Sequence, residues 1–181
     1  MASNIVITEY IMNALKACKL AVLATEGDGQ PHASLIAISP VGGFRELIFA
    51  TYRNTRKYSN LIHNGKVAVL IESEDIGSTC LKEKFVLTAY GSAKEIGVAR
   101  NDVFLNTHLE KHPDLESFVH SADCAIILIS VNAYQVVRGI DDVQWWTIEE
   151  LDAPVNFREI SKKNEFKDRL YPKKNQSEQT D

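Results

Sequence analysis

The sequence has little of what marks a secreted miniprotein, a membrane protein or a nucleic-acid binder. Its 181 residues hold three cysteines, Cys18, Cys80 and Cys124. That odd, widely spaced set argues against both a disulfide framework and a zinc knuckle, and it fits buried or half-buried thiols. No apolar run approaches the ~20 residues a membrane helix needs, and the N-terminus lacks the basic-then-apolar pattern of a secretory signal. A basic excess is missing as well, since the formal net charge is −4, the wrong sign for a nucleic-acid binder. No G-x-G-x-x-G follows a strand, and neither a G-x-x-x-x-G-K-[ST] loop nor a G-x-S-x-G elbow is present, which removes Rossmann, P-loop and typical α/β-hydrolase readings. A cytoplasmic protein with no membrane or nucleic-acid partner is the expectation.

With 45% hydrophobic and 24% charged residues, the chain reads as one globular domain. At this length it can bury roughly 70% of its unfolded surface without a metal or disulfide staple. Residues 7–18 put Ile7, Ile11, Ala14, Leu15 and Cys18 on one helical face. The LAVLAT run at 20–25, the EGDG turn at 26–29, a strand at 33–39, the PVGG turn at 40–43 and a strand at 46–51 then read as an antiparallel meander. Residues 54–64 suit a short helix with Tyr58, Leu61 and Ile62 on its apolar face, stopped at Asn64-Gly65. Strands are expected at 66–72 and 84–96, with a polar loop at 73–83 between them. Residues 98–121 suit a helix broken at Pro113. The run at 124–138 is continuously apolar, as in a central strand covered on both faces. The last 21 residues, 161–181, include ten charged ones and read as a flexible tail behind a domain of residues 1–160. About six strands, two or three helices and no βαβ alternation predict a mainly β fold with flanking helices, a small closed antiparallel barrel.

Chemistry is concentrated in TYRNTRKY at 51–58, where a strand gives way to a helix. Arg56 and Lys57 fall in the first turn, beside a helix N-terminus that already carries roughly half a positive charge. A phosphate would resolve the conflict, held by free N–H groups, the Thr55 hydroxyl and both cations. A solvated basic turn with its side chains in water is the alternative. His108 and His112 have the i, i+4 spacing of metal ligands. Without a third ligand, and with Glu110 and Lys111 between them, they read instead as a solvated helix face, so no metal is expected. His32 fits solvent or a ligand equally. Trp145-Trp146, the only tryptophans, suit a core or interface anchor.

Taken together, LAVLAT at 20–25, GQPHAS at 29–34, Thr51, TRK at 55–57 with Asn60-Leu61, and YGSA at 90–93 resemble the pyridoxamine 5′-phosphate oxidase-like FMN-binding split barrels. The likeness covers about residues 5–140. HPDLE at 112–116, followed by Ala122-Asp123, is similar to the subgroup that includes heme-utilisation proteins. The resemblance implies a six-stranded split barrel and a homodimer with FMN in a groove between the subunits. It implies that the strand through Ser34, Leu35, Ile36, Ala37 and Ser39 lies along the flavin. Ala50 and Thr51 would also touch it, and Thr55, Arg56 and Lys57 would hold its phosphate. An aromatic from the second subunit, Trp145 or Trp146, would cover the ring. An FMN-dependent oxidoreductase working with a small-molecule electron donor or acceptor follows, with no catalytic side chain assigned. True pyridoxamine phosphate oxidases carry Arg where Ser34 stands, Lys where Ser39 stands, and a C-terminal Arg-x-His that this chain lacks, so vitamin B6 oxidation is not expected. A heme-binding or heme-degrading protein on the same barrel and a non-enzymatic flavin carrier are the alternatives. The heme-degrading relatives use C-terminal ligand histidines, and here no histidine follows His120.

Overall fold

The computed structural model describes residues 4–72 and 85–153; the expected loop at 73–83, Cys80 and the expected tail at 161–181 lie outside them. The chain opens with α1 (Asn4–Ala17), whose Ile7, Ile11, Ala14 and Leu15 are all buried as their spacing predicts. Strands β1 (Leu20–Gly27) and β2 (Gln30–Ala37) form a hairpin across Asp28 and Gly29. These two residues have φ of 55° and 76°, the left-handed pair that a two-residue type I′ turn requires. β3 (Ser39–Val41), β4 (Glu46–Tyr52) and α2 (Arg56–His63) follow. β5 (Lys66–Glu72) and β6 (Val86–Glu95) pair antiparallel. Next come α3 (Val98–Lys111), a 3₁₀ turn (Pro113–Leu115) and α4 (Glu116–Val119), so the helical stretch breaks at the proline as expected. β7 (Cys124–Val137), β8 (Val143–Thr147) and α5 (Ile148–Asp152) complete the described chain.

The strands form one antiparallel sheet in the order β2-β1-β5-β6-β7-β4-β3, with β8 added beside β7. It has eight strands rather than six, for two reasons. The single strand expected at 33–39 is divided at Ile38: β2 pairs with β1 and β3 pairs with β4. The WW pair, read only as an anchor, lies in the added strand β8. Nor is the sheet a closed barrel. β2 and β3, at the two ends of its path, are one residue apart in sequence, so the sheet curls until its edges meet at Ile38. No ladder among the described residues joins them. The result is a barrel split along one seam.

β7 shows why continuous apolarity signalled a central strand. Its Ala125, Ile127 and Ile129 enter the main core with Leu23, Phe49, Val69 and Leu87. Ile126 and Leu128 point the other way, into a second cluster with Val41, Ile48 and Ile96 beneath Phe104 and Leu105 of α3. The ladder to β6 shifts register between Tyr90 and Gly91. A Cβ on Gly91 would stand 2.3 Å from the Ser130 carbonyl oxygen, so this bulge admits only glycine. On α2 one expected core position is exchanged for another. Ile62 is 56% exposed, and Asn60 is buried in its place beside Leu61.

Candidate functional site

The turn from β4 into α2 is built by its own hydroxyls. Thr55 caps the helix, its Oγ1 accepting from the Tyr58 N–H and donating to the Tyr52 carbonyl at 2.8 Å. The buried Thr51 hydroxyl lies 3.1 Å from Thr55 Oγ1. A cap of this kind contributes about 1 kcal/mol and fixes where the first free N–H groups point. Asn60 pins the helix to the sheet by donating to Thr25 Oγ1 at 3.1 Å. It passes so close to Gly27 that a Cβ there would fall 2.4 Å from Asn60 Oδ1. The Asn60-Leu61 pair and the glycine at the end of β1 thus serve one joint.

Three cations sit around this turn and differ in what they do. Arg53 is committed: it pairs with Glu95 and donates to the carbonyls of Ala122 (3.2 Å) and Cys124 (2.9 Å). Tyr58 donates to the other Glu95 oxygen at 2.7 Å. These hydrogen bonds hold the Glu95 carboxyl below its ordinary range although burial pushes the other way. Arg56 is exposed and Lys57 half-buried. No acidic residue occupies the first turn of α2, and neither cation has an ion-pair partner among the described residues.

Across the seam runs β2, a sheet edge paired only with β1. Its free side approaches β4, the strand that carries Thr51 toward Thr55, and a crevice lies between these two strands, which no ladder joins. An edge strand leaves alternate N–H and C=O groups available. Ser34 Oγ is buried with no hydrogen-bond partner among the described residues, an omission that costs about 1–3 kcal/mol unless a ligand or water fills it. Ile36 is buried and Leu35 is 64% exposed on the outer face. Ser39 is not at the surface: it is fully buried, and its hydroxyl lies 2.9 Å from His108 Nδ1. The Ala50 side chain faces the second cluster under α3.

Trp145 lies elsewhere. It stacks on Tyr90 with ring centroids 5.0 Å apart and planes at 31°. The registers Leu35↔Val22, Val22↔Leu70, Leu70↔Thr88, Thr88↔Gln135 and Gln135↔Trp145 place it five strand spacings from Leu35 on one outer row. That is roughly 24 Å along the sheet. Thr51 pairs with Ala125 and Trp145 with Gln135, which puts them roughly 33 Å apart along β7, so one chain does not bring Trp145 to the Thr51 end of the crevice. Between Leu35 and Trp145 lies an uncovered apolar strip, with Leu20, Val22, Leu35 and Leu70 exposed by 56%, 37%, 64% and 44%.

His108 and His112 correct the sequence reading. They are not a solvated face but buried, with ring centroids 4.8 Å apart. Burial above all, then the neighbouring His112 and Lys111, pushes His108 down to about 4. No cluster of three metal-ligating side chains occurs among the described residues, and none of their helices is long and apolar enough to cross a membrane. Sequence reasoning also passed over Arg53 and Glu95 and gave Tyr58 only a place on the apolar helix face, whereas its hydroxyl joins Glu95; the only signal was the Arg53-x4-Tyr58 spacing at the helix entry.

A curled antiparallel sheet, split at one edge and flanked by a capped helix start with uncommitted cations, defines the split-barrel class. A family model, pyridoxamine 5′-phosphate oxidase, matches residues 7–119, and the chain belongs to that family. Among solved structures it is similar to a heme-binding protein from Mycobacterium smegmatis, at 18% identity and a TM-score of 0.70. The match covers 83% of this chain and 60% of that one, so the chain spans less than two thirds of that relative. It is similar to a Clostridium acetobutylicum protein related to general stress protein 26, of the pyridoxinephosphate oxidase family (14% identity, TM-score 0.61, 80% of this chain and 98% of that one). An FAD-binding protein from Mesorhizobium loti is similar at 14% identity and a TM-score of 0.57, over 70% of this chain and 90% of that one. No curated protein matches the sequence.

Proposed function

We propose that the chain binds FMN in the crevice between β2 and the β4–α2 turn, and acts as an FMN-dependent oxidoreductase. The observation that carries this reading is the pair Arg56 and Lys57, two cations at a helix start with no anion of their own. The residues fit the group. Thr55, Arg56, Lys57 and the first N–H groups of α2 would hold the phosphate. The free edge of β2 and the unpartnered Ser34 hydroxyl would meet the polar edge of the ring. Bound FMN supplies hydride or electron transfer, and the protein supplies orientation, polarity and exclusion of water.

Titration with FMN tests the site. Arg56→Ala and Lys57→Ala each remove one charge-assisted hydrogen bond to the phosphate, which should cost about 1.5–3 kcal/mol, or about 10- to 150-fold in affinity. Riboflavin, which lacks the phosphate, should bind parent and variants alike. Equal FMN dissociation constants for all three proteins would place the phosphate elsewhere. A Soret band in place of flavin absorbance in the purified protein would favour the heme reading. Absence of turnover with reduced nicotinamide, flavin being bound, would favour a carrier.

The same reading includes a homodimer. The strip formed by Leu20, Val22, Leu35 and Leu70, continued by the Tyr90–Trp145 stack, suits a second copy. That copy would bring its Trp145 toward the ring, which a single chain leaves distant along the sheet. Sedimentation should show a dimer at micromolar concentration, and a monomer that still holds FMN would refute this arrangement.

A further inference from the structure

A second set of polar contacts between separate elements lies outside the crevice, at the end of α3. We propose that His108 and His112 are positioning residues, a neutral clasp that holds the Ile38–Ser39 junction at the seam of the sheet and opens in acid.

Three side chains at i, i+3 and i+4 of α3 reach across to other elements. His112 Nε2 lies 2.9 Å from the Ile38 carbonyl oxygen, which can only accept, so Nε2 donates and Nδ1 carries no proton in the neutral ring. His108 Nδ1 meets the Ser39 hydroxyl at 2.9 Å. Lys111 Nζ donates to the carbonyls of Leu15 (2.8 Å) and Cys18 (2.6 Å), at the end of α1, where a cation complements the helix dipole. The two residues gripped by the histidines are those at which the sheet passes from its β1 edge to its β4 edge. Ile38 itself donates to the Lys19 carbonyl at 3.2 Å. The junction is therefore held from the β1 side by one backbone bond and from the α3 side by two imidazoles.

The surroundings accept those imidazoles only when neutral. His108 Nε2 is buried with no hydrogen-bond partner among the described residues; with Nδ1 donating to Ser39 Oγ, the neutral ring leaves Nε2 bare, and a second proton there would point at nothing that can take it. The rings are close enough for two imidazolium charges to repel. The titratable groups facing them are Lys111 on α3 and, from the α1–β1 link, Lys19; the Cys18 thiol faces Lys111. β3 contributes none. Glu46 of β4 and Asp114 of the 3₁₀ turn make no hydrogen bond or ion pair with either ring. Burial lowers both histidines, the bond to Ile38 only partly opposing this for His112. Each ring therefore binds a proton more readily once released, at its ordinary value of 6.5, than while clasped. The clasp is intact above that pH and yields as the pH falls toward 4.

β2 ends at the junction, so opening frees the end of the strand assigned above to the flavin. That consequence rests on the proposed function, whereas the clasp does not. The two are separated by measuring hydrogen-exchange protection factors in flavin-free protein first. Between pH 7 and pH 4.5 the Ile38 amide and the amides of the last turn of α3 should lose at least ten-fold in protection, while β5 and β6 keep theirs. The double variant His108→Asn, His112→Gln places a non-titrating amide nitrogen where each bonding ring nitrogen stood, and it should keep its protection at pH 4.5. Unchanged protection in the parent, loss spread evenly over the sheet, or equal loss in the double variant would each overturn the clasp. If the double variant does not fold, the parent's local pattern and the NMR titration of its two imidazoles decide: rings that titrate near 6.5 with no change at Ile38 refute it. In a second arm, FMN should dissociate at least ten-fold faster from the parent than from the double variant at pH 4.5. Failure of FMN to bind either protein at pH 7 would count against the flavin site and leave the first arm standing.

Discussion

Two helix ends in this molecule carry polar side chains toward the seam of the sheet, and they use them in opposite ways. At the start of α2, Arg56 and Lys57 stand where the helix dipole disfavours them, without a partner. At the end of α3, Lys111 and both histidines are hydrogen-bonded to main chain or side chain of other elements. The first arrangement leaves its interaction capacity unused within the described fold and contributes little to it. The second is consumed within the fold and has little to offer a ligand. Uncommitted charge marks the proposed site, and committed charge marks the scaffold beside it.

The largest effect that would sharpen this contrast is the dependence of stability on pH. His108 has a folded value of about 4 against an ordinary 6.5. Its folded value is depressed, so the stability tied to its neutral form is fully present above about pH 6.5 and is lost as the pH falls through about 4. A shift of that size corresponds to about 3 kcal/mol at most. Urea denaturation from pH 7 to pH 4 should show the parent losing up to that amount more than His108→Asn, which does not titrate. Glu95 and Glu26 are both lowered, chiefly by side-chain hydrogen bonds in the face of desolvation, and their contributions disappear only below their ordinary 4.5. The histidine window therefore opens first. Parallel pH profiles for parent and variant would mean that the end of α3 is not the scaffold described.

The contrast was only half visible in the sequence. The α2 side was legible because its evidence is local: strand, cap and adjacent cations lie within eight residues, and the helix dipole supplies the argument. The same locality made α1, the Asp28-Gly29 turn and the Pro113 break readable. The α3 side was not, because its partners Ser39 and Ile38 lie 69 and 74 residues away. Charged neighbours at 110 and 111 made the histidines look solvated, whereas Lys111 itself reaches inward to the end of α1. β8 escaped for a related reason. Five residues with a tryptophan pair give no clear period, and only the ladder to the second half of β7 makes them a strand. On α2, Asn60 displaced Ile62 from the buried face because Thr25 offers the amide a partner. The division of one strand into β2 and β3 at Ile38 follows from sheet curvature, which no local pattern encodes.

The smallest expected effect is the one that most directly distinguishes reserve from commitment at α2. Replacing Arg56 by Glu puts a carboxylate in the first turn, where the dipole favours it, in a helix that has no acidic residue there now. With Arg56 exposed and without an ion pair to lose, Arg56→Glu should leave the fold intact and raise stability by about 0.3–1 kcal/mol, less at high salt. On the proposed function, the same change should abolish the FMN affinity that Arg56→Ala only weakens, because the new carboxylate would repel the phosphate. A corresponding reversal at Lys111, where the cation serves two carbonyls at the end of α1, should destabilise instead. Paired urea titrations of Arg56→Glu and Lys111→Glu at pH 7 measure both signs at once. A loss of stability in Arg56→Glu matching that in Lys111→Glu would show that Arg56 is a structural cation, and the distinction between the two helix ends would fall.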